Sequence, residues 1–162
     1  LACSHRAVRT QRYRSNKAQH FRLFSLCSAG RNSGDIRFGI HASTTHIKFY
    51  LRAIQDFLGK DIQLRVSVSD ISAGSNDYSI IDMPEKIMKE FADVDVVLET
   101  DQRKTGYYKG LVFHLYASPD GEEEVELMEG GDTDWTQKLL NNAKERLVIS
   151  GIGSERVCEF HQ

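Results

Sequence analysis

Arg103 stands four residues ahead of the Tyr107-Tyr108 pair, which leads through Lys109-Gly110 into the apolar run Leu111-Val112-Phe113. A guanidinium is permanently charged and planar, and its fixed fork of donors can hold two negative groups while charge develops between them. Two further arginines have comparable settings. Arg9, in Val8-Arg9-Thr10-Gln11, precedes the run His20-Phe21-Arg22-Leu23-Phe24, and Arg156 follows Ser150-Gly151-Ile152-Gly153-Ser154-Glu155. A Gly-x-Gly step where a strand turns into a helix lets a phosphate or a neighbouring strand come close, because no Cβ intervenes. These residue types allow phosphate and carboxylate binding; the ordinary fate of an arginine, a surface ion pair, is the alternative for each. Tyr107 and Tyr108 read either as strand aromatics, one facing in and one out, or as a wall of a small-ligand pocket.

Other chemistries find less support. Ser150 and Ser154 lie in no Gly-x-Ser-x-Gly element, which excludes the hydrolase elbow. Cys3 with His5 lacks a second ligand pair, so no metal site is expected. His41 and His46 are five apart, an awkward spacing for a helical metal pair, and read as cap or surface residues. Cys3, Cys27 and Cys158 are odd in number and widely spaced, as free thiols in a reducing compartment would be. No apolar run approaches the roughly 20 residues of a membrane span, and the N-terminus has no continuous apolar leader, so a cytosolic protein is expected.

Taken in order, these pieces resemble the core of a class II aminoacyl-tRNA synthetase, closest to histidyl-tRNA synthetase. Residues 8–24 are similar to motif 2, where an arginine grips the α-phosphate of ATP. Residues 150–156 are similar to motif 3, whose arginine holds the γ-phosphate. The Arg103 to Phe113 stretch resembles the family's arginine and tyrosine signature, in which the arginine touches the reacting carboxylate and the α-phosphate. Gly130-Gly131-Asp132-Thr133-Asp134 sits where the family has Gly-Gly-Arg-Tyr-Asp. Specificity lies in the collinearity of the four. The resemblance implies ATP and Mg²⁺ as ligands. It implies Arg9 and Arg103 as catalytic residues, and Arg9, Gln11, His20, Phe24, Gly151, Gly153 and Arg156 as nucleotide contacts. Tyr107, Tyr108, Leu26, Gly30, Gly130 and Gly131 would border the substrate.

The departures change the expected substrate. Aligned on Phe24, the glutamine and glutamate that face histidine in the family are Leu26 and Gly30. The motif 2 acid is Gln11, and the arginine and tyrosine of the Gly-Gly segment are Asp132 and Thr133. A site built for polar groups loses roughly 1–3 kcal/mol per unpaired partner, so histidine is not the expected substrate. The expectation is activation of another small carboxylate or amino acid as an adenylate. The alternative is a non-catalytic paralogue like the regulatory subunit of ATP phosphoribosyltransferase. The family's helical insertion for tRNA is absent near the short loop 73–77, and tRNA stays an open partner.

The elements that must position these residues follow from periodicity. Ile47, Leu51, Ile54 and Leu58 recur at four, three and four, with Gly59 as the stop, predicting a helix over 43–58. Ile62, Leu64, Val66 and Val68 alternate with polar neighbours and predict a strand at 61–69. Asp82 is expected to cap a helix carrying Pro84 and burying Ile87, Met88 and Phe91. Strands are expected at 94–99, 109–117 and 123–128, the last two joined by the turn 118–121. A helix from Trp135 to Arg146, with Leu139 and Leu140 inward, precedes a central strand at 147–149. The fold class is α+β, an antiparallel sheet flanked by helices.

At 162 residues the chain suits one domain, spanning 1–162. It opens inside motif 2, so the motif 1 helix and strand lie outside it and a fragment of a longer core is expected. A sheet edge left unpaired there predicts a homodimer or a partner polypeptide. Net charge is only −2, yet residues 1–37 hold eight Lys or Arg against Asp35 alone, while 120–134 hold eight Asp or Glu and no base. The basic hairpin suits polyphosphate contact or is a solvated loop; the acidic stretch reads as an exposed hairpin rather than a metal cage.

Overall fold

A computed structural model describes residues 1–9, 20–32, 37–72, 78–99, 106–118 and 123–159, with only the backbone of Arg9, His20, Tyr78 and Ser79. Seven strands form one sheet in the order β1-β2-β7-β6-β5-β3-β4. They are β1 (Ala2–Arg9), β2 (His20–Arg31), β3 (Gln63–Asp70), β4 (Asp95–Glu99), β5 (Leu111–Ser118), β6 (Val125–Thr133) and β7 (Glu145–Gly153). All neighbours run antiparallel except β3 and β4. Helices α1 (Arg37–Leu58), α2 (Asp82–Met88), α3 (Trp135–Leu140) and α4 (Ser154–Glu159) flank it, giving the expected α+β architecture.

Helix α1 lies across one face. Its apolar stripe, Ile47, Tyr50, Leu51 and Ile54, is at most 2% exposed and meets Leu26, Ile152, Met128, Leu115 and Val66 of the strands in one core. Each such side chain leaving water stabilises by roughly 1.5–3 kcal/mol before the entropy of ordering it is subtracted. The helix starts six residues before the predicted position, since Gly39, Ile40 and Ala42 extend the buried stripe. Gly59 ends it at φ 96°, the left-handed conformation glycine adopts without strain.

His46 corrects a sequence expectation. It is 0% exposed, neither cap nor surface residue, with Nε2 2.9 Å from Ser28 Oγ and Nδ1 2.8 Å from Ser150 Oγ. The serines come from β2 and β7, so this polar cluster ties α1 to two neighbouring strands of the sheet. His41 is exposed.

Three local expectations change. Asp82 is the first residue of α2 rather than its cap; the cap position is Ile81, at the end of a short 3-10 turn over Tyr78–Ile81. Met83 takes the buried place on α2 while Met88 is 42% exposed, because the helix is seven residues long and only one stripe reaches the core. Helix α3 ends at Leu140, where Asn141 turns left-handed at φ 46°. Too short to present a second stripe, it leaves Leu139 and Leu140 83% and 59% exposed. The turn predicted at 118–121 lies outside the described residues beyond Ser118. Among the described residues, no helix is long and apolar enough to cross a membrane.

Candidate functional site

The far face of the sheet, away from α1, is set by strand parity. Directly paired residues point the same way, and successive residues alternate. One row across the sheet reads Ser67, His114, Glu129, Gly151, Ser25, and the next reads Ser69, Val112, Gly131, Ile149, Cys27. Both belong to the far face. The row between them, Val68, Phe113, Gly130, Ser150, Leu26, points into the core.

Two glycines on adjacent strands, Gly131 and Gly151, lie at the centre of the far face, each packed under a neighbouring group. A Cβ on Gly131 would run into the Leu111 carbonyl oxygen and come within 2.7 Å of the Tyr108 ring. On Gly151 it would come 3.0 Å from Leu23. Gly153 has more room, with only the Arg156 Cβ at 3.8 Å. Strand β7 passes from Gly153 straight into α4, and Arg156, in that helix, donates from Nη1 to the Glu126 carbonyl at 2.6 Å. The guanidinium is thereby brought to β6 beside the glycine step.

Aromatic rings line the same face. Tyr108 is 7% exposed over Gly131, and Tyr107 stands edge-on to it, with centroids 4.9 Å apart. Trp135 meets the other side of Tyr107 at 5.0 Å, also edge-on. The Tyr108 hydroxyl donates to Glu129; burial first and the Glu129 charge second hold it protonated well above the usual phenol range. Nearer β3 the charges are matched. Arg65 donates to Glu124 at 2.7–3.1 Å, contacts Glu99 at 3.4 Å and lies 4.3 Å over the Tyr116 ring. His114 is 3.5 Å from Glu126.

The structure thus brings together Tyr107, Tyr108, Gly131, Gly151, Gly153 and Arg156. It does not bring Phe24, Leu26, Gly30 and Gly130 to them. Phe24 stacks on Phe49 of α1 at 5.7 Å, and Leu26 is 2% exposed in the core. A Cβ on Gly30 would run into the Phe38 ring, and one on Gly130 would lie 2.5 Å from Phe113. Leu26 and Gly30, expected beside the ligand, therefore face α1, and β2 shows Leu23, Ser25 and Cys27 on the far face instead. Strand period two is the reason: anchoring on Phe24 selects the even-numbered side, which is the core side. Arg9 pairs with His20 across the β1–β2 hairpin through the backbone. Gln11, Arg103 and the Arg9 and His20 side chains lie outside what is described. Glu129, Cys27 and Trp135 escaped the sequence reading. Glu129 was hidden in an acidic block read as solvated, although its place directly before Gly130-Gly131 was a usable signal.

Among the described residues no three His, Cys, Asp or Glu side chains cluster in a way that could hold a metal ion. A Mg²⁺ would fit only as a phosphate-borne ion taking one or two carboxylates, with Glu126 and Glu129 among the acids on this face. Of the glycines on this face only Gly153 has open space beside it; over Gly131 and Gly151 that space is taken by Tyr108 and by Leu23.

No protein-family model matches the chain, and no curated protein matches it. Solved structures do. Apo histidyl-tRNA synthetase from S. aureus superposes with a TM-score of 0.63 at 16% identity, over 88% of this chain and 40% of that one. An ATP phosphoribosyltransferase regulatory subunit/histidyl-tRNA synthetase from Bacillus halodurans gives 0.64 at 12%, over 99% and 58%. A chain of the ATP phosphoribosyl transferase (HisG:HisZ) complex from Thermotoga maritima gives 0.64 at 12%, over 93% and 72%. The chain therefore spans about half the length of the first two. At such identities the likeness speaks for the fold alone: these residues form the α+β fold of the histidyl-tRNA synthetase core.

Proposed function

We propose that the far face is the ligand face of a histidyl-tRNA synthetase-like core that binds ATP with Mg²⁺ and activates a small carboxylate or amino acid as an adenylate. The observation that supports this most is the junction of β7 and α4: two glycines on the far face, then Arg156 turned back onto β6. In the proposed reaction a carboxylate oxygen attacks the α-phosphorus, the bond to the bridging oxygen breaks, and pyrophosphate leaves. Mg²⁺ would supply charge neutralisation at the phosphates. Arg156 would hold the departing pyrophosphate end. Arg9 and Arg103 would take the α-phosphate and carboxylate, so catalysis would be positional and electrostatic with no protein nucleophile. The test is exchange of labelled pyrophosphate into ATP across a panel of amino acids and simple carboxylates. Exchange that depends on one of them and falls in Arg156→Ala supports the proposal; none with any member contradicts it.

A second reading, a non-catalytic regulatory subunit that binds a partner polypeptide, is favoured by the acidic balance of the described far face. Glu129, Glu126, Glu124 and Glu99 stand there against Arg65, which is already paired, and Arg156. Binding of an amino acid without pyrophosphate exchange would select it.

A further inference from the structure

Helix α1 has an outer face that the proposed chemistry does not use. Opposite its buried stripe, Phe49, Ala53 and Phe57 follow one another at intervals of four and are all exposed. Phe24, Ile152 and Val157 continue this apolar row into a groove on one side of it. Single exposed apolar residues are ordinary, whereas a contiguous patch with a polar rim marks an interaction surface. The rim lies on the other side of the row. There Glu90, just past α2, takes the Lys48 ammonium at 2.7 Å and stands 3.6 Å from Arg52. Asp56, one turn along α1 from Arg52 and equally exposed, makes no ion pair among the described residues.

This pattern complements itself. Lay a second copy of α1 antiparallel on the first, with a two-fold axis through Ala53, and positions equally far from Ala53 on either side meet. Phe49 of each copy then meets Phe57 of the other, and Arg52 of each falls beside Asp56 of the other. A two-fold interface uses the same patch on both subunits, so every contact must be made twice by one surface. Alanine at the crossing point lets the two helix axes approach closely, and the aromatic pairs on either side gain from edge or offset contact. We propose that the chain forms a two-fold dimer through the outer face of α1, with Ala53 on the axis and reciprocal Arg52–Asp56 ion pairs fixing the register. The far face of the sheet stays open in this dimer, so the inference does not depend on what binds there.

Sedimentation equilibrium over a range of concentrations tests it, with charge swaps at the rim. The parent chain should dimerise reversibly. Arg52→Asp faces two aspartates across the axis and Asp56→Arg faces two arginines, so each variant alone should dimerise at least about tenfold more weakly. Mixed in equal amounts, the two variants bring opposite charges together again, and a heterodimer of near-parental affinity is expected. Both side chains are exposed, and unchanged circular dichroism shows that each variant folds. Ala53→Arg, which sets a bulky charge on the axis itself, should leave a monomer. The proposal is overturned if the parent is monomeric at every concentration, or if the mixture recovers nothing. It is overturned equally if Arg52→Asp, Asp56→Arg and Ala53→Arg dimerise like the parent, as they would were the dimer built on the β1 edge.

Discussion

Burial favours the uncharged forms of both His46 and Asp132, and the two make stability depend on pH in opposite directions. Burial pushes the His46 pKa down to about 4 from 6.5, so the fold favours the neutral ring. Its contribution is complete above about pH 6.5 and is lost as pH falls towards 4, at most on the order of 3 kcal/mol. An NMR titration should therefore show the His46 imidazole untouched down to pH 5; a midpoint near 6.5 would mean that the ring is not sealed between Ser28 and Ser150. Asp132 is pushed up to about 6 by burial, against the Leu111 amide at 2.9 Å and the charge of Arg146, which both favour ionisation. A raised acid contributes most below its unfolded pKa and loses that contribution as pH climbs from about 4 to 6. Asp132→Asn keeps an acceptor for the Leu111 amide and removes the ionisation. Urea unfolding should find it more stable than the parent by roughly 2–3 kcal/mol at pH 7 and near parity at pH 4. Equal gains at both pH values would exclude this explanation.

At the level of strands and helices, the assignment of faces has an energetic consequence. Leu26→Ala should cost roughly 2–5 kcal/mol, because it leaves a cavity against α1, whereas Ser25→Ala should fall within about 0.5 kcal/mol. Comparable losses at both positions in chemical unfolding would refute the parity of β2. The same parity explains how much could be read in the sequence. The alternation of Leu64, Val66 and Val68, and the four-three-four spacing from Ile47 to Leu58, are local patterns, and the strand and helix they announce are present. What periodicity does not carry is which neighbour a strand meets. Phe24, Leu26, Leu23 and Cys27 all fit an alternating strand, and only the pairing with β7 and the approach of Phe49 show which pair is inward. The burial of His46 is hidden for a related reason: its two hydroxyl partners are 18 and 104 residues away. Within its own helix, however, the buried positions Ile47, Tyr50, Leu51 and Ile54 already marked its side as the core stripe.

Across the whole molecule, β1 and β4 are the edges of the sheet. Beside β1 runs an apolar groove of about 320 Å³ lined by Phe24, Phe49, Phe57 and Val157, with Phe49 and Phe57 43% and 49% exposed. An edge strand next to exposed aromatics favours association, and we expect a homodimer or a complex with a partner polypeptide. Sedimentation over a range of concentrations should show species heavier than the 18.4 kDa chain; a monomer throughout would mean that this edge is covered. The far face, not the groove, is where the proposed chemistry belongs. Whether the β7–α4 glycine step and Arg156 receive a nucleotide is decided by calorimetric titration of the chain with ATP–Mg²⁺. Saturable one-to-one binding is expected, weakening about tenfold or more in Arg156→Ala, the loss of a charged phosphate contact. Absence of heat with the parent chain, or an unchanged affinity in Arg156→Ala, would contradict it.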